Sequence, residues 1–234
     1  MIVTVPWNKG KTKETDSRVR KISKTFKKKR IDNFYSWRQA KIKQGEIISY
    51  YPPFVRSTEL ATLIGLILGD GNISKFPRCE RLIITLGTDK PKLILFAKQL
   101  VEQVFSKKPA VAKYALENAI RISLYQKYIS KRLGVPSGER KYSKKGLPRW
   151  IWKSRKYLLA GLRGLYEAEA YLSIHLPSST YNFAFVNCNE KLLLDVKTAL
   201  IKLGYHPEIR SNAIRLRKRD EVKSFEKLIS FRQY

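Results

Sequence analysis

Residues 60–71 read LATLIGLILGDG, and residues 159–170 read LAGLRGLYEAEA. Shifted by 99 positions, Leu60, Ala61, Leu63, Gly65 and Leu66 recur as Leu159, Ala160, Leu162, Gly164 and Leu165, and Asp70 falls on Glu169. A repeat of that period means two similar halves in one chain. Ala61, Gly65 and Gly69 are four residues apart, as are Ala160, Gly164 and Ala168, so each set lies on one helical face. A glycine inside a helix costs about 1 kcal/mol relative to alanine. That cost makes sense where a second backbone must come close, since small residues let helices touch at the main chain. The spacing therefore predicts two helices packed on each other through these faces. Their C-terminal ends would bring Asp70 and Glu169 together.

Working outward, Ser57 or Thr58 can cap the first helix, with Glu59 in its first turn. Residues 72–76 and 81–86 read as strands, the second with Leu82, Ile84 and Leu86 alternating with Arg81, Ile83 and Thr85. Asp89-Lys90-Pro91 opens a helix to about residue 105. Strands are expected at 111–116 and 119–125, and a short helix at 128–133 ends at Gly134. Residues 135–152 form a basic connector. The second half repeats the order, with strands at 171–176 and 182–186, a helix at 189–203, strands at 208–210 and 213–217, and a helix at 221–231. Asn118-Ala119-Ile120-Arg121 recurs as Asn212-Ala213-Ile214-Arg215, a second sign of duplication. The fold class is α+β, two pseudo-symmetric units of order αββαββα.

Strand alternation sorts the faces. Ile120, Ile122 and Leu124 point to the core and leave Arg121, Ser123 and Tyr125 outside. Ile214 and Leu216 leave Arg215, Arg217 and Arg219 outside. Leu172, Ile174 and Leu176 are expected inside, with Tyr171, Ser173 and His175 outside. The outward positions, Arg81 among them, are basic or neutral with hardly an acid. Arginine suits guanine edges, and Ser or Thr several bases, in a groove that admits a two-stranded ribbon. Other arginines would contact phosphate and position the duplex.

The 234 residues carry 48 Lys plus Arg against 19 Asp plus Glu, a net charge of +29. Such an excess points to a polyanion. The longest apolar run, near residues 60–68, is too short to span a bilayer, and the start shows no signal-peptide pattern. Cys79 and Cys188 lack metal-ligand spacing and suggest no disulfide framework, so an intracellular setting is expected. Residues 1–55 hold few aliphatics and the run Lys27-Lys28-Lys29-Arg30, and close at the Tyr50-Tyr51-Pro52-Pro53 linker. Residues 8–10 read as a turn, Thr15 or Asp16 as the cap of a short basic helix, and residues 32–46 as a further helix. The expected divisions are 1–55, 56–150 and 151–234.

The two acid-ended stretches resemble the paired motif of the LAGLIDADG homing endonucleases, in the single-chain form with both copies. Residues 63–71 and 162–170 match the motif position by position, and the resemblance spans residues 57–234. One departure matters: Ala170 stands where the first copy has Gly71, a residue that lets the chain turn out of a helix. Residues 1–55, with Pro6-Trp7-Asn8-Lys9-Gly10, resemble the nuclease-associated modular motifs found beside homing endonucleases, which implies DNA contacts from Lys9, Lys11 and Arg18. The resemblance implies sheets forming a saddle over double-stranded DNA, and a monomer that cuts at a specific site to promote mobility of its intron or gene. It further implies a Lys or Gln near the acids, which this lysine-rich sequence does not single out.

Phosphodiester hydrolysis needs an activated water and charge relief on the leaving oxygen, which divalent metals supply. Asp70 and Glu169 offer one carboxylate each, and the end-of-helix carbonyls of Gly69 and Ala168 can add ligands. Mg²⁺, or Mn²⁺, suits such oxygens. Glu167, whose counterpart is Leu68, reads as structural. The two histidines, His175 and His206, lack the neighbours of a His-based metal finger, and no paired Gly-Ile-Tyr motif is present. Splicing nucleophiles are absent from both ends, so a free-standing or intron-encoded enzyme is expected. The alternatives are a maturase acting on intron RNA and a DNA-binding regulator of the same fold that does not cut.

Overall fold

The computed structural model describes residues 5–114, 117–139 and 143–234. The chain divides into two compact units, Met1–Tyr51 and Pro52–Tyr234. The far end of the expected strand 111–116 and the middle of the connector lie outside the described residues.

In the smaller unit a turn at residues 7–10 leads to α1 (Ser17–Lys29) and then α2 (Tyr35–Lys43). Asp16 caps α1, its Oδ1 accepting from the backbone nitrogens of Arg18 at 2.8 Å and Val19 at 3.3 Å. Neither helix buries a residue. Among the described residues of this unit none is buried, so apolar burial offsets little of its ordering entropy.

The larger unit runs α3 (Thr58–Asp70), β1 (Gly71–Lys75), β2 (Glu80–Gly87), α4 (Pro91–Phe105), β3 (Ala110–Lys113), β4 (Ala119–Gln126) and α5 (Ile129–Leu133). A 3₁₀ turn at Ile151–Lys153 opens the second pass: α6 (Arg155–Glu169), β5 (Ala170–His175), β6 (Thr180–Val186), α7 (Glu190–Lys202), β7 (Glu208–Arg210), β8 (Ala213–Leu216) and α8 (Arg219–Leu228). Each pass folds an antiparallel sheet, ordered β1-β2-β4-β3 and β5-β6-β8-β7. The order αββαββα thus occurs twice. Pro52 and Phe54 belong to this unit. Arg132 donates to the Pro52 carbonyl at 2.8 Å and stacks over Phe54, which meets Phe105 edge-on.

Helix α3 is apolar all round and buried from Leu60 to Leu68, as expected of a helix at the centre of a core. Ser57 caps it, accepting from Leu60 N at 3.1 Å. Its partner is α6, and the contact is made at the main chain. A Cβ on Gly65 would stand 2.8 Å from Leu165 N and closer still to the Gly161 carbonyl. A Cβ on Gly164 would stand 2.7 Å from Leu66 N and closer to the Thr62 carbonyl.

Two expectations are corrected. Ile174 and Leu176 are 43% and 71% exposed rather than inside, because β5 ends at His175 and leads into a turn beyond the cover of the core. Ala170 leaves its helix as Gly71 does: φ, ψ are −99°, 151° and −93°, 163°. Both are extended conformations open to any residue. At Gly71 an added Cβ would meet Ile67 Cα at 2.7 Å, so this helix end would have to shift to take the alanine that the second copy carries.

Candidate active site and nucleic-acid face

The close approach of α3 and α6 continues to their last residues. A Cβ on Gly69 would lie 2.9 Å from Glu169 Cγ and nearer still to Ala168 Cβ. Asp70 is therefore held beside Glu169, one acid from each half. Burial and the Glu169 charge push the Asp70 carboxyl up to about 7, against a smaller downward pull from Lys90. Asn187 Nδ2 donates to Glu169 Oε1 at 2.9 Å. The helix-end amides of Gly71 and Ala170 bond the carbonyls of Ile67 and Tyr166. The carbonyls of Gly69 and Ala168 come after these last acceptors of the two helices.

A divalent cation fits this arrangement. Two carboxylates kept together out of water repel, and a cation removes that repulsion. Mg²⁺ in particular is held by one or two carboxylates plus substrate phosphates rather than by an all-protein cage. Among the described residues no cluster of three or more His, Cys, Asp or Glu exists.

Lys90 and Asn187 are the site residues that sequence reasoning did not single out. Both lie just after a sheet's second strand, where the chain passes the helix ends, and the 99-residue shift places Thr88 on Asn187 and Lys90 on Asn189. That shift was the available signal. Glu167 accepts from Arg232 N at 2.6 Å and from the Tyr234 hydroxyl, while Arg163 donates to the Gln233 carbonyl at 2.7 Å. Burial raises the Glu167 pKa. Its counterpart Leu68 is buried among apolar side chains, so the same position meets the C-terminal segment in one half and core in the other.

The outward sheet faces carry the remaining candidates. In the first sheet Arg81 pairs across from Tyr125 and Ser74, and Arg121 from Thr85 and Ala112. Ser123 stands beside Ile83, and the Arg81 guanidinium lies 5.4 Å from the Tyr125 ring centre. In the second, Arg215 pairs across from Ala184 and Glu208, and Ser173 from Asn182. His175 lies opposite Thr180 and its Nδ1 is 2.6 Å from Ser178 Oγ. Arg217 follows β8 and is exposed, whereas Arg219 opens α8 and does not continue the strand face. These faces are less free of acid than the alternation suggested. Arg121 Nη2 donates to both carboxylate oxygens of Glu117 at 2.7 Å, and Arg215 Nη2 donates to Glu208 Oε2 at 3.1 Å.

In the smaller unit Lys11 and Arg18 flank the Trp7 ring at 5.6 and 5.0 Å, and both pair with Asp16, at 3.5 and 3.2 Å. The hydrogen bond from Arg18 pulls the Asp16 carboxyl down to about 2. Lys9 lies in the exposed turn nearby. Among the described residues no helix is long and apolar enough to cross a membrane.

No protein-family model and no curated protein matches the sequence. Solved structures do match. Mesophilic variants of the homing endonuclease I-DmoI are 19% identical over 74% of this chain and 94% of that one, with a TM-score of 0.52. I-DmoI in complex with DNA and Mn gives 18%, 74%, 96% and 0.51. Full-length DUF199/WhiA from Thermatoga maritima gives 16% identity and 0.51, over 78% of this chain and 58% of that one. At these identities the likeness is one of fold: two αββαββα units joined through paired acid-ended helices, the LAGLIDADG fold.

Proposed function

We propose that the protein is a site-specific, divalent-metal-dependent endonuclease acting on double-stranded DNA. The observation that carries this reading is the meeting of Asp70 and Glu169, one from each half, at the joined ends of two helices whose halves each present an arginine-bearing sheet face. In this reading Asp70 and Glu169, with the Gly69 and Ala168 carbonyls, would hold Mg²⁺ or Mn²⁺, which supplies water activation and charge relief at the phosphodiester. Lys90 tempers the charge of Asp70, and Asn187 fixes the Glu169 carboxylate. Arg81, Arg121, Ser123 and Tyr125 face one half-site, and Ser173, His175, Arg215 and Arg217 the other. Lys9, Lys11 and Arg18 add phosphate contacts from the N-terminal unit. Cutting of this kind would serve mobility of an intron or gene.

The test is cleavage of a supercoiled plasmid bearing a site obtained by selection on the protein. Asp70→Asn and Glu169→Gln keep side-chain size and so the helix contact, but lose a charge. Each should abolish double-strand cutting while binding survives, and the two should nick opposite strands. Full linear product from the double mutant would refute the assignment of both acids. A second reading, a DNA-binding regulator of this fold that does not cut, draws on the burial of Asp70, which raises its pKa to about 7 and disfavours the charged form where no cation is bound. Tight site binding with no cleavage in Mg²⁺ or Mn²⁺ would establish that reading instead.

A further inference from the structure

Arg121 and Arg215 occupy equivalent positions in the Asn-Ala-Ile-Arg echoes, and each is held by a glutamate. The two glutamates do not come from equivalent positions. In the second half Glu208 sits on β7 directly across from Arg215. In the first half the residue across from Arg121 is Ala112, and the acid is Glu117, from the turn leading into β4. The repeat therefore did not copy this pairing. The chain has arrived at one ion pair by two routes, on faces where a net charge of +29 leaves most cations without an acid. The stability of an exposed pair does not explain it, since such pairs contribute little. An acid on a DNA-facing sheet also opposes phosphate.

Both glutamates take Nη2, and neither guanidinium is loose. Arg121 stacks over the Tyr114 ring at 4.2 Å, and Arg215 Nε is buried. Among the described residues the hydrogen bonds from each guanidinium to its glutamate use Nη2 alone. A carboxylate on Nη2 repels a charged phosphate that approaches the same guanidinium far more than it opposes the uncharged edge of guanine.

We infer that Glu117 and Glu208 are specificity-determining positioning residues that turn Arg121 and Arg215 toward base edges and away from phosphates. This rests on the reading of the sheets as a DNA-binding face. A randomised DNA duplex library is selected on the full chain in EDTA, and the selected and a scrambled duplex are titrated across salt concentrations. Glu117→Gln and Glu208→Gln should each tighten scrambled binding several-fold and steepen its salt dependence by about one phosphate contact. Each should lower the selected-to-scrambled ratio about tenfold, through one base pair in its own half-site. Ala112→Glu added to Glu117→Gln rebuilds the first pair in the geometry of the second and should restore the ratio. An unchanged ratio in the glutamine variants, or no restoration by Ala112→Glu, overturns the inference alone. A wild-type protein that enriches no sequence overturns the DNA-recognition reading and the inference with it.

Discussion

Replacing Asp70 by asparagine should stabilise the protein when no metal is present, and the gain should depend on pH in a way that identifies its cause. Burial, followed by the Glu169 charge, lifts the Asp70 carboxyl from 3.8 to about 7. An acid whose folded pKa is raised binds more protons in the folded state across that window, so stability is full below pH 4 and drains away as pH rises through 7. About three pH units at 1.36 kcal/mol each set a ceiling of roughly 4 kcal/mol. Residual solvent access lowers the usable figure to about 2 kcal/mol. For a unit of this size that moves the unfolding midpoint by roughly 4 to 8 °C. Thermal unfolding followed by circular dichroism from pH 4 to 9 in EDTA, wild type against Asp70→Asn, measures it. The two curves should meet near pH 4, separate through neutrality and run parallel above pH 8, the variant melting higher. Millimolar Ca²⁺ should raise the wild-type midpoint at pH 8 and leave the variant little changed, because only a folded pair of acids gains from the ion. Midpoints that track each other from pH 4 to 9 would show Asp70 to be ordinarily solvated and would refute the reasoning.

Three further outcomes are expected. Gly65→Ala places a Cβ against the backbone of α6 and should cost about 1 to 3 kcal/mol in denaturant unfolding, whereas a cost near zero would mean the helices can part. Lys90→Met removes the downward pull on Asp70, so the acid limb of the cleavage pH profile should move upward, and an unmoved limb would detach Lys90 from the site. Removing residues 1–51, a cut that spares the Pro52 and Phe54 contacts with Arg132, should flatten the salt dependence of DNA affinity. An unchanged slope would deny the N-terminal unit a role on DNA.

The duplicated order of elements was legible because each half repeats both a hydrophobic period and a turn signal, and these are local properties. The predicted helix contact was legible for a similar reason: glycine at four-residue spacing inside an apolar helix is costly unless a backbone comes close. The inward turn of Ile174 and Leu176 was misread because alternation reports which face a residue is on, not whether the core reaches that far along the strand. Leu176 lies past the end of β5 and is 71% exposed.

The acids beside Arg121 and Arg215 were illegible for a different reason. Alternation assigns a side to residues within a strand, but Glu117 precedes β4 and reaches the sheet from a turn. Glu208 does lie on a strand, yet its partner depends on the register of β7 against β8, and a slip of one residue would put it on the other face. Lys90 and Asn187 follow the same rule: each lies beyond a strand end and acts on an acid of its own half about twenty residues earlier in the chain, Lys90 through its charge and Asn187 through a hydrogen bond. Local pattern thus located the two carboxylates, which sit on helices, and missed the groups that tune them, which sit on connections. The chemistry proposed here depends on both. A chain keeping Asp70 and Glu169 but altered at Lys90 and Asn187 would still show the motif in its sequence, while Asp70 would lose the downward pull of Lys90 and Glu169 the hydrogen bond from Asn187.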